Sequence, residues 1–252
     1  MDPLVRTTNF TYAPTTPRFT PAVVDKLIAA YPGLVANMRE SHNGPHAHQL
    51  VFEGPVESVG HIRSDVNFFD TALTPVPLEN ITSRLDNFQA LGPGHIKLAE
   101  ATRKLLSMDV NVRAAGLFIY GPPGIGKTHF SVGLAKKAME AGAKVLYVTP
   151  QSLDKAEKAL QGLTVLPVLV MDDFHEPYGM SADFFKKIIL RLHENGGRAF
   201  VTSNMSYKEF MQKLFFANET DRQRWSDRTQ NTLMPVELTG NSQRAEKAWW
   251  VE

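Results

Sequence analysis

The chain has 252 residues, 43% of them hydrophobic, with 27 lysines and arginines against 26 aspartates and glutamates, and no cysteine. Such a chain can bury a proper core in one large domain with an extension, while a disulfide framework and a thiolate metal site are excluded. No apolar run approaches the roughly 20 residues that span a bilayer, and MDPLVRTTNF lacks the order of a signal peptide, so a soluble, cytoplasmic protein is expected, with a nuclear or viral replication compartment left open.

The near-neutral charge hides an asymmetry. Residues 1–100 carry seven basic against ten acidic side chains, the rest twenty against sixteen. The second part is mildly basic, which permits contact with nucleic acid without demanding it.

Residues 1–22 hold four prolines and many threonines, which predicts an extended or disordered arm. AVVDKLIAAYPGLVANMRE (22–40) looks helical, broken at Pro32-Gly33. QLVFEGPVESVGHIRS suggests a short hairpin, and TALTPVPLEN a linker. The first 80 residues are therefore expected to be a poorly structured N-terminal extension, with partner binding as its candidate role, and residues 81–252 the folded domain. IKLAEATRKLLSM spaces Ile96, Leu98, Ala99, Leu105 and Leu106 for an amphipathic helix.

Four apolar runs follow, separated by helical stretches: LFIYG (117–121), KVLYVT (144–149), VLVMDD (168–173) and RAFVTSN (198–204). LMPVELTG (233–240) is a fifth. Strands alternating with helices predict a three-layer α/β domain with a five-stranded parallel sheet buried on both faces.

The first strand runs into GPPGIGKT (121–128), and a helix follows. This is G-x-x-x-x-G-K-[ST] in its strand–loop–helix setting, a P-loop. Gly121, Gly124 and Gly126 let the backbone approach phosphate oxygens, and the helix N-terminus adds partial positive charge. Lys127 is expected to reach the β- and γ-phosphates and Thr128 to ligate Mg²⁺. VLVMDDF puts Asp172 and Asp173 at the carboxyl end of a strand, where parallel sheets bind ligands. Asp172 is the candidate to hold Mg²⁺ through water. Asp173 is the candidate to polarise the attacking water. Two adjacent carboxylates beside a phosphate loop are expensive without a cation. Asn204 ends FVTSN, and its amide suits orientation of that water.

Together these pieces resemble an AAA+ ATPase of the DnaC/IstB type, the helicase loaders and transposition helper ATPases, with DnaA a relative. LDNFQA (85–90) resembles the segment before the family's first helix. GPPGIGKTHF resembles its Walker A motif, VLVMDDF its Walker B and FVTSN its sensor 1. SDRTQ (226–230) lies where the arginine finger sits, and GNSQR (240–244) resembles the terminal Gly-x-Ser-x-Arg. The resemblance covers about residues 84–246. It implies ATP and Mg²⁺ as cofactors, held by Gly121, Pro122, Pro123, Gly124, Ile125, Gly126, Lys127, Thr128 and His129. It makes Arg228 the arginine finger, with Arg222 and Arg224 as neighbouring alternatives, and Arg244 the sensor 2 arginine. A finger acting on a neighbour's nucleotide implies a homo-oligomer or an AAA+ partner. A replicative helicase or transposase and single-stranded DNA are the implied macromolecular partners, and no membrane.

Three departures from the pattern stand out. With about a dozen residues, 241–252, after the fifth run, no C-terminal lid domain is expected. TPQSLDKAEKALQGLTVLP holds one helix where the family carries a longer insertion that touches single-stranded DNA. The N-terminal segment has no recognisable helicase-binding or zinc module.

His42, His46 and His48 lie close together, but no nearby carboxylate or cysteine completes a tetrahedral set, and Gly-Pro marks a polar loop. His175 either lines the site or begins the next helix. Trp249-Trp250 either stack on bases or pack against the protein. The expected function is Mg²⁺-dependent ATP hydrolysis that remodels a DNA replication or transposition complex. One alternative is a viral superfamily 3 helicase motor, which VLVMDDFHEP and FVTSN suit. The extra strand KVLYVT and the terminal Gly-x-Ser-x-Arg weigh against it. The other is a slow ATP-gated switch, kept open because Asp173 stands where a glutamate is usual.

Overall fold

The computed structural model describes residues 7–14, 19–40, 48–88, 92–106, 115–175, 179–214, 219–240 and 242. The chain divides into two compact units, Met1–Thr82 and Ser83–Glu252. Among the described residues, no helix is long and apolar enough to cross a membrane.

The first unit corrects the expectation of a poorly structured extension. Its elements are β1 (Thr7–Tyr12), α1 (Pro21–Ala30), β2 (Val35–Glu40), β3 (His48–Pro55) and α2 (Val56–Thr71). β3 lies at the centre of a three-stranded antiparallel sheet, with Phe52 opposite both Phe10 of β1 and Ala36 of β2. Pro21 opens α1 at the first turn, where a missing N–H costs nothing. Pro32-Gly33 does not break a helix in two. It turns the chain from helix into strand, with Gly33 at φ 77°. The expected hairpin is corrected too: β3 pairs back with β2, and VESVGHIRSDVNFFDT is helical. Val59, Ile62, Val66 and Phe69 recur at helical spacing and are all buried. Leu27, Phe52 and Ile62 are fully buried, each contributing roughly 1.5–3 kcal/mol. Two acids of α2 are buried with them. Asp70 accepts a hydrogen bond from the Tyr12 hydroxyl at 2.6 Å, and Asp65 accepts one from Tyr31.

The second unit begins with α3 (Pro93–Leu106) and β4 (Ala115–Tyr120). It continues with α4 (Lys127–Glu140), β5 (Val145–Val148), α5 (Leu153–Leu160) and β6 (Val168–Met171). Then come α6 (Gly179–Asn195), β7 (Arg198–Ser203), α7 (Tyr207–Leu214), α8 (Glu219–Thr232) and β8 (Leu233–Glu237). The five strands form a parallel sheet in the order β5-β6-β7-β4-β8, as the alternation of strands and helices predicts. Every residue of β5, β6 and β7 is buried, because helices cover both faces. β8 is an edge strand, and Pro235 within it is tolerated for that reason. On α3, Leu98, Ala101 and Leu105 face inward, whereas Ile96 and Ala99, expected on the apolar face, are exposed. The chain leaves β4, crosses to β5 at the far edge and returns through β6 and β7. The strand order thus reverses beside β4, which opens a crevice at the carboxyl ends of β4, β7 and β6.

Candidate functional site

The crevice gathers side chains from three strand ends. β4 runs into the loop 121–126, which is built for close backbone approach. A Cβ on Gly121 would fall 2.1 Å from the Leu238 carbonyl oxygen. Gly126, at φ 93°, turns the chain into α4, and a Cβ there would meet the Phe88 ring at 2.9 Å. The loop is a concave run of backbone at the N-terminus of a helix, a cradle suited to anionic oxygens. Lys127 is only 7% exposed. Its Nζ donates to the carbonyls of Gly121 at 2.8 Å and Pro122 at 2.7 Å, and to Asn204 Oδ1 at 2.8 Å.

The two acids of VLVMDDF point different ways. Asp172 is 7% exposed. Its Oδ1 accepts from the hydroxyls of Thr128 at 2.7 Å and Thr202 at 2.6 Å, and its Oδ2 from Tyr147 at 2.5 Å. Asp173 has φ 61°, the one left-handed non-glycine among the described residues. That geometry costs about 1–2 kcal/mol, and it swings the Asp173 side chain outward to 59% exposure. Its N–H donates to Thr202 Oγ1 at 2.9 Å. Its carboxylate accepts from Asn204 Nδ2 at 3.4 Å and lies 3.1 Å from His175 Nδ1. His175 therefore belongs to the cluster and is not itself helical.

Lys127, Thr128, Asp172, Asp173 and Asn204 are thus joined in one hydrogen-bonded set. Tyr147 and Thr202 are members that the sequence reading missed. Thr202 sits inside FVTSN. Tyr147 is a fully buried tyrosine in an apolar strand, and such a hydroxyl needs a partner, which was the available signal. The donor set of Thr128 hydroxyl and Asp172 carboxylate suits a hard oxygen-loving cation. Among the described residues no group of three His, Cys, Asp or Glu side chains could hold a metal alone. A cation here therefore needs oxygens from phosphate or water, which is how Mg²⁺ is bound with nucleotides.

A second wall comes from residues 84–88 of the same unit. His129 Nε2 lies 2.9 Å from the Arg84 carbonyl and 2.7 Å from Asn87 Oδ1. Two acceptors on one nitrogen put the proton there. Burial, aided by the positive charges of Lys136 and Arg84, holds this imidazole below the usual histidine range. Phe88 packs edge-on against Phe130 at 4.9 Å and flanks His129 at 5.7 Å. The Phe88 ring also lies 5.4 Å from that of His95, which is 2% exposed and, among the described residues, has neither ring nitrogen hydrogen-bonded.

Pro122 and Pro123 are exposed on the loop, Gly124 is half-exposed, and Ile125 is buried beneath it. Arg228 is half-buried on α8, its guanidinium 5.5 Å over the Trp225 ring. It is not a hydrogen-bond partner of the cluster among the described residues. Arg244, His42, His46 and Trp249-Trp250 lie outside the described residues, as do the side chains of Arg222, Arg224 and His48.

Residues 97–248 match the family of IstB-like ATP-binding proteins. The insertion sequence IS21 ATP-binding protein of Pseudomonas aeruginosa is 28% identical over 123 residues, 44% of this chain and 46% of that protein. The corresponding IS5376 protein of Geobacillus stearothermophilus is 29% identical over 120 residues, 43% of this chain and 47% of that protein. The chain thus spans about half the length of the curated relatives it matches. Among solved structures, DnaI superposes with a TM-score of 0.55 at 23% identity, covering 67% of this chain and 94% of that one. That likeness shows the fold, an α/β domain built on a five-stranded parallel sheet. With the family match extending over more than half of its residues, the chain belongs to the IstB-like ATP-binding proteins.

Proposed function

We propose that the protein hydrolyses ATP with Mg²⁺ and uses the cycle to remodel a DNA replication or transposition complex, in the manner of a helicase loader. The observation that carries this is the convergence of Lys127, Thr128, Asp172 and Asn204 within hydrogen-bonding distance at the carboxyl ends of β4, β6 and β7. The relatives named for insertion sequences support the transposition arm.

In this reading the backbone N–H groups of Gly124, Ile125 and Gly126 cradle the phosphates, Pro122 and Pro123 having none to donate, with His129 and Arg244 beside the nucleotide. Lys127 exchanges the carbonyls of Gly121 and Pro122 for the β- and γ-phosphate oxygens. Thr128 and Asp172 hold the cation. Bound there, Mg²⁺ supplies charge neutralisation for the phosphates. Asp173 accepts the proton of the attacking water, and Asn204 orients that water. Arg228 reaches the nucleotide of a neighbouring copy or AAA+ partner and stabilises charge there. Residues 1–80 serve as the partner-binding element, facing a replicative helicase or transposase, and single-stranded DNA is a further ligand. All of this takes place in the cytoplasm.

The test is forked-duplex unwinding with ATP turnover read in the same tube, with Lys127→Ala as control. Turnover without strand separation is expected. Turnover with strand separation would make the protein a helicase and end the loader reading. One observation favours a second reading, a slow ATP-gated switch: Asp173 is one methylene shorter than glutamate and is held by His175 and Asn204. Binding of ATP with turnover no faster than Lys127→Ala would select that switch.

A further inference from the structure

Asp172 is held by more than its candidate role requires. A carboxylate offers about four lone-pair positions. Three are filled from within the protein, by Thr128, Thr202 and Tyr147. The Thr202 hydroxyl has one proton, and it goes to Asp172. Its oxygen in turn accepts the Asp173 N–H at 2.9 Å, so one side chain braces both acids. Tyr147 comes from β5, on the opposite side of β6 from the phosphate loop, and reaches Asp172 across 25 residues of sequence. Both hydroxyl residues are almost completely buried, at 1% exposure each, so neither is offered to a nucleotide. The Thr128 proton is also directed at Asp172, which leaves that hydroxyl's lone pairs facing the crevice.

We infer that Tyr147 and Thr202 are positioning residues for the divalent cation: their hydroxyls clamp the Asp172 carboxylate so that it meets the cation through water, beside a direct ligand from Thr128. This rests on the ATP and Mg²⁺ reading above and adds to it the residues that set cation affinity. The physical ground is that partners which orient a metal-binding carboxylate control affinity without touching the metal, and their removal costs 10–100-fold. A carboxylate fixed at both oxygens cannot turn to chelate directly. That suits Mg²⁺, which sheds water reluctantly, better than Ca²⁺, which takes bidentate carboxylates.

The experiment titrates Mg²⁺ against binding of a fluorescent ATP analogue, mant-ATP, by the full chain, and repeats the binding in EDTA. Tyr147→Phe and Thr202→Val are each expected to raise the Mg²⁺ concentration at half-saturation by about tenfold or more, while mant-ATP affinity in EDTA stays within about twofold. Thr202→Ser keeps the hydroxyl and is expected to keep the wild-type Mg²⁺ midpoint. An unchanged midpoint in both Tyr147→Phe and Thr202→Val would overturn the inference. So would an equal loss with and without EDTA, which marks a packing role. Should Tyr147→Phe fail to fold, the Thr202→Val and Thr202→Ser pair decides by itself. A wild-type protein that binds no mant-ATP under either condition would remove the nucleotide reading, and this inference with it.

Discussion

Buried acids occur in both units, and they are handled differently. In the first unit Asp65 and Asp70 lie on α2, and each accepts a tyrosine hydroxyl brought from far along the chain. They tie β1 and the residue that follows α1 to α2. In the second unit Asp172 collects three hydroxyls and sits at a strand end beside a phosphate-shaped loop. Burial of a carboxylate therefore does not mark chemistry. What separates the two is the place in the fold: on the buried face of a helix in a core, against the mouth of a parallel sheet where the strand order reverses.

The contrast breaks most sharply at Asp172. Asp172→Asn keeps the shape but removes the charge and one acceptor oxygen, so ATP turnover should fall by roughly 100-fold or more, against a stability loss of only about 1–3 kcal/mol. Retained turnover would reduce Asp172 to the structural status of Asp65. The converse change is Tyr31→Phe, which takes a donor from Asp65. It should destabilise the first unit by about 1–3 kcal/mol and leave mant-ATP binding unaltered. Weakened nucleotide binding would show that the first unit's acids bear on the site after all.

Two histidines beside Phe88 sharpen the same point on a smaller scale. His129, with two acceptors, is held neutral, its folded-state value below its unfolded one. The unfolded chain therefore takes up a proton first as pH falls. The contribution of His129 to stability is complete above the unfolded value near 6.5 and is lost as pH drops through the lowered folded value. Urea melts of wild type and His129→Gln should show a slope with pH on the acid side that the variant lacks, and parallel slopes would refute this. Among the described residues, neither ring nitrogen of His95 has a hydrogen-bond partner. His95→Phe should be neutral or stabilising by up to about 1 kcal/mol, because it removes unpaired buried polar atoms. A large loss would mean that His95 has a partner in solution.

Much of the second unit is legible in sequence because its signals are local. GPPGIGKT is contiguous, the acid pair ends an apolar run, and β4 to β8 coincide with the five runs that alternate with helices. The first unit was misjudged because its prolines and threonines dominate the composition, while its order rests on few positions. Phe52 lies between strands β1 and β2, which are separated in sequence by α1, and Val59, Ile62, Val66 and Phe69 are diluted by serines, aspartates and a glycine. Tyr147 was invisible for another reason. In a strand buried on both faces, no alternation tells which side chain ends against a charge.

Residue order alone determined the glycine-rich loop 121–126, the positions of Asp172 and Asn204 at strand ends, and the alternation of strands with helices, since each depends on neighbours a few residues apart. Tertiary structure decided which hydroxyls meet Asp172, which way Asp173 turns, and that residues 1–82 form a compact unit. Those depend on chain segments 25 to 58 residues apart being brought within hydrogen-bonding distance. Such closure is rewarded only when the whole core assembles.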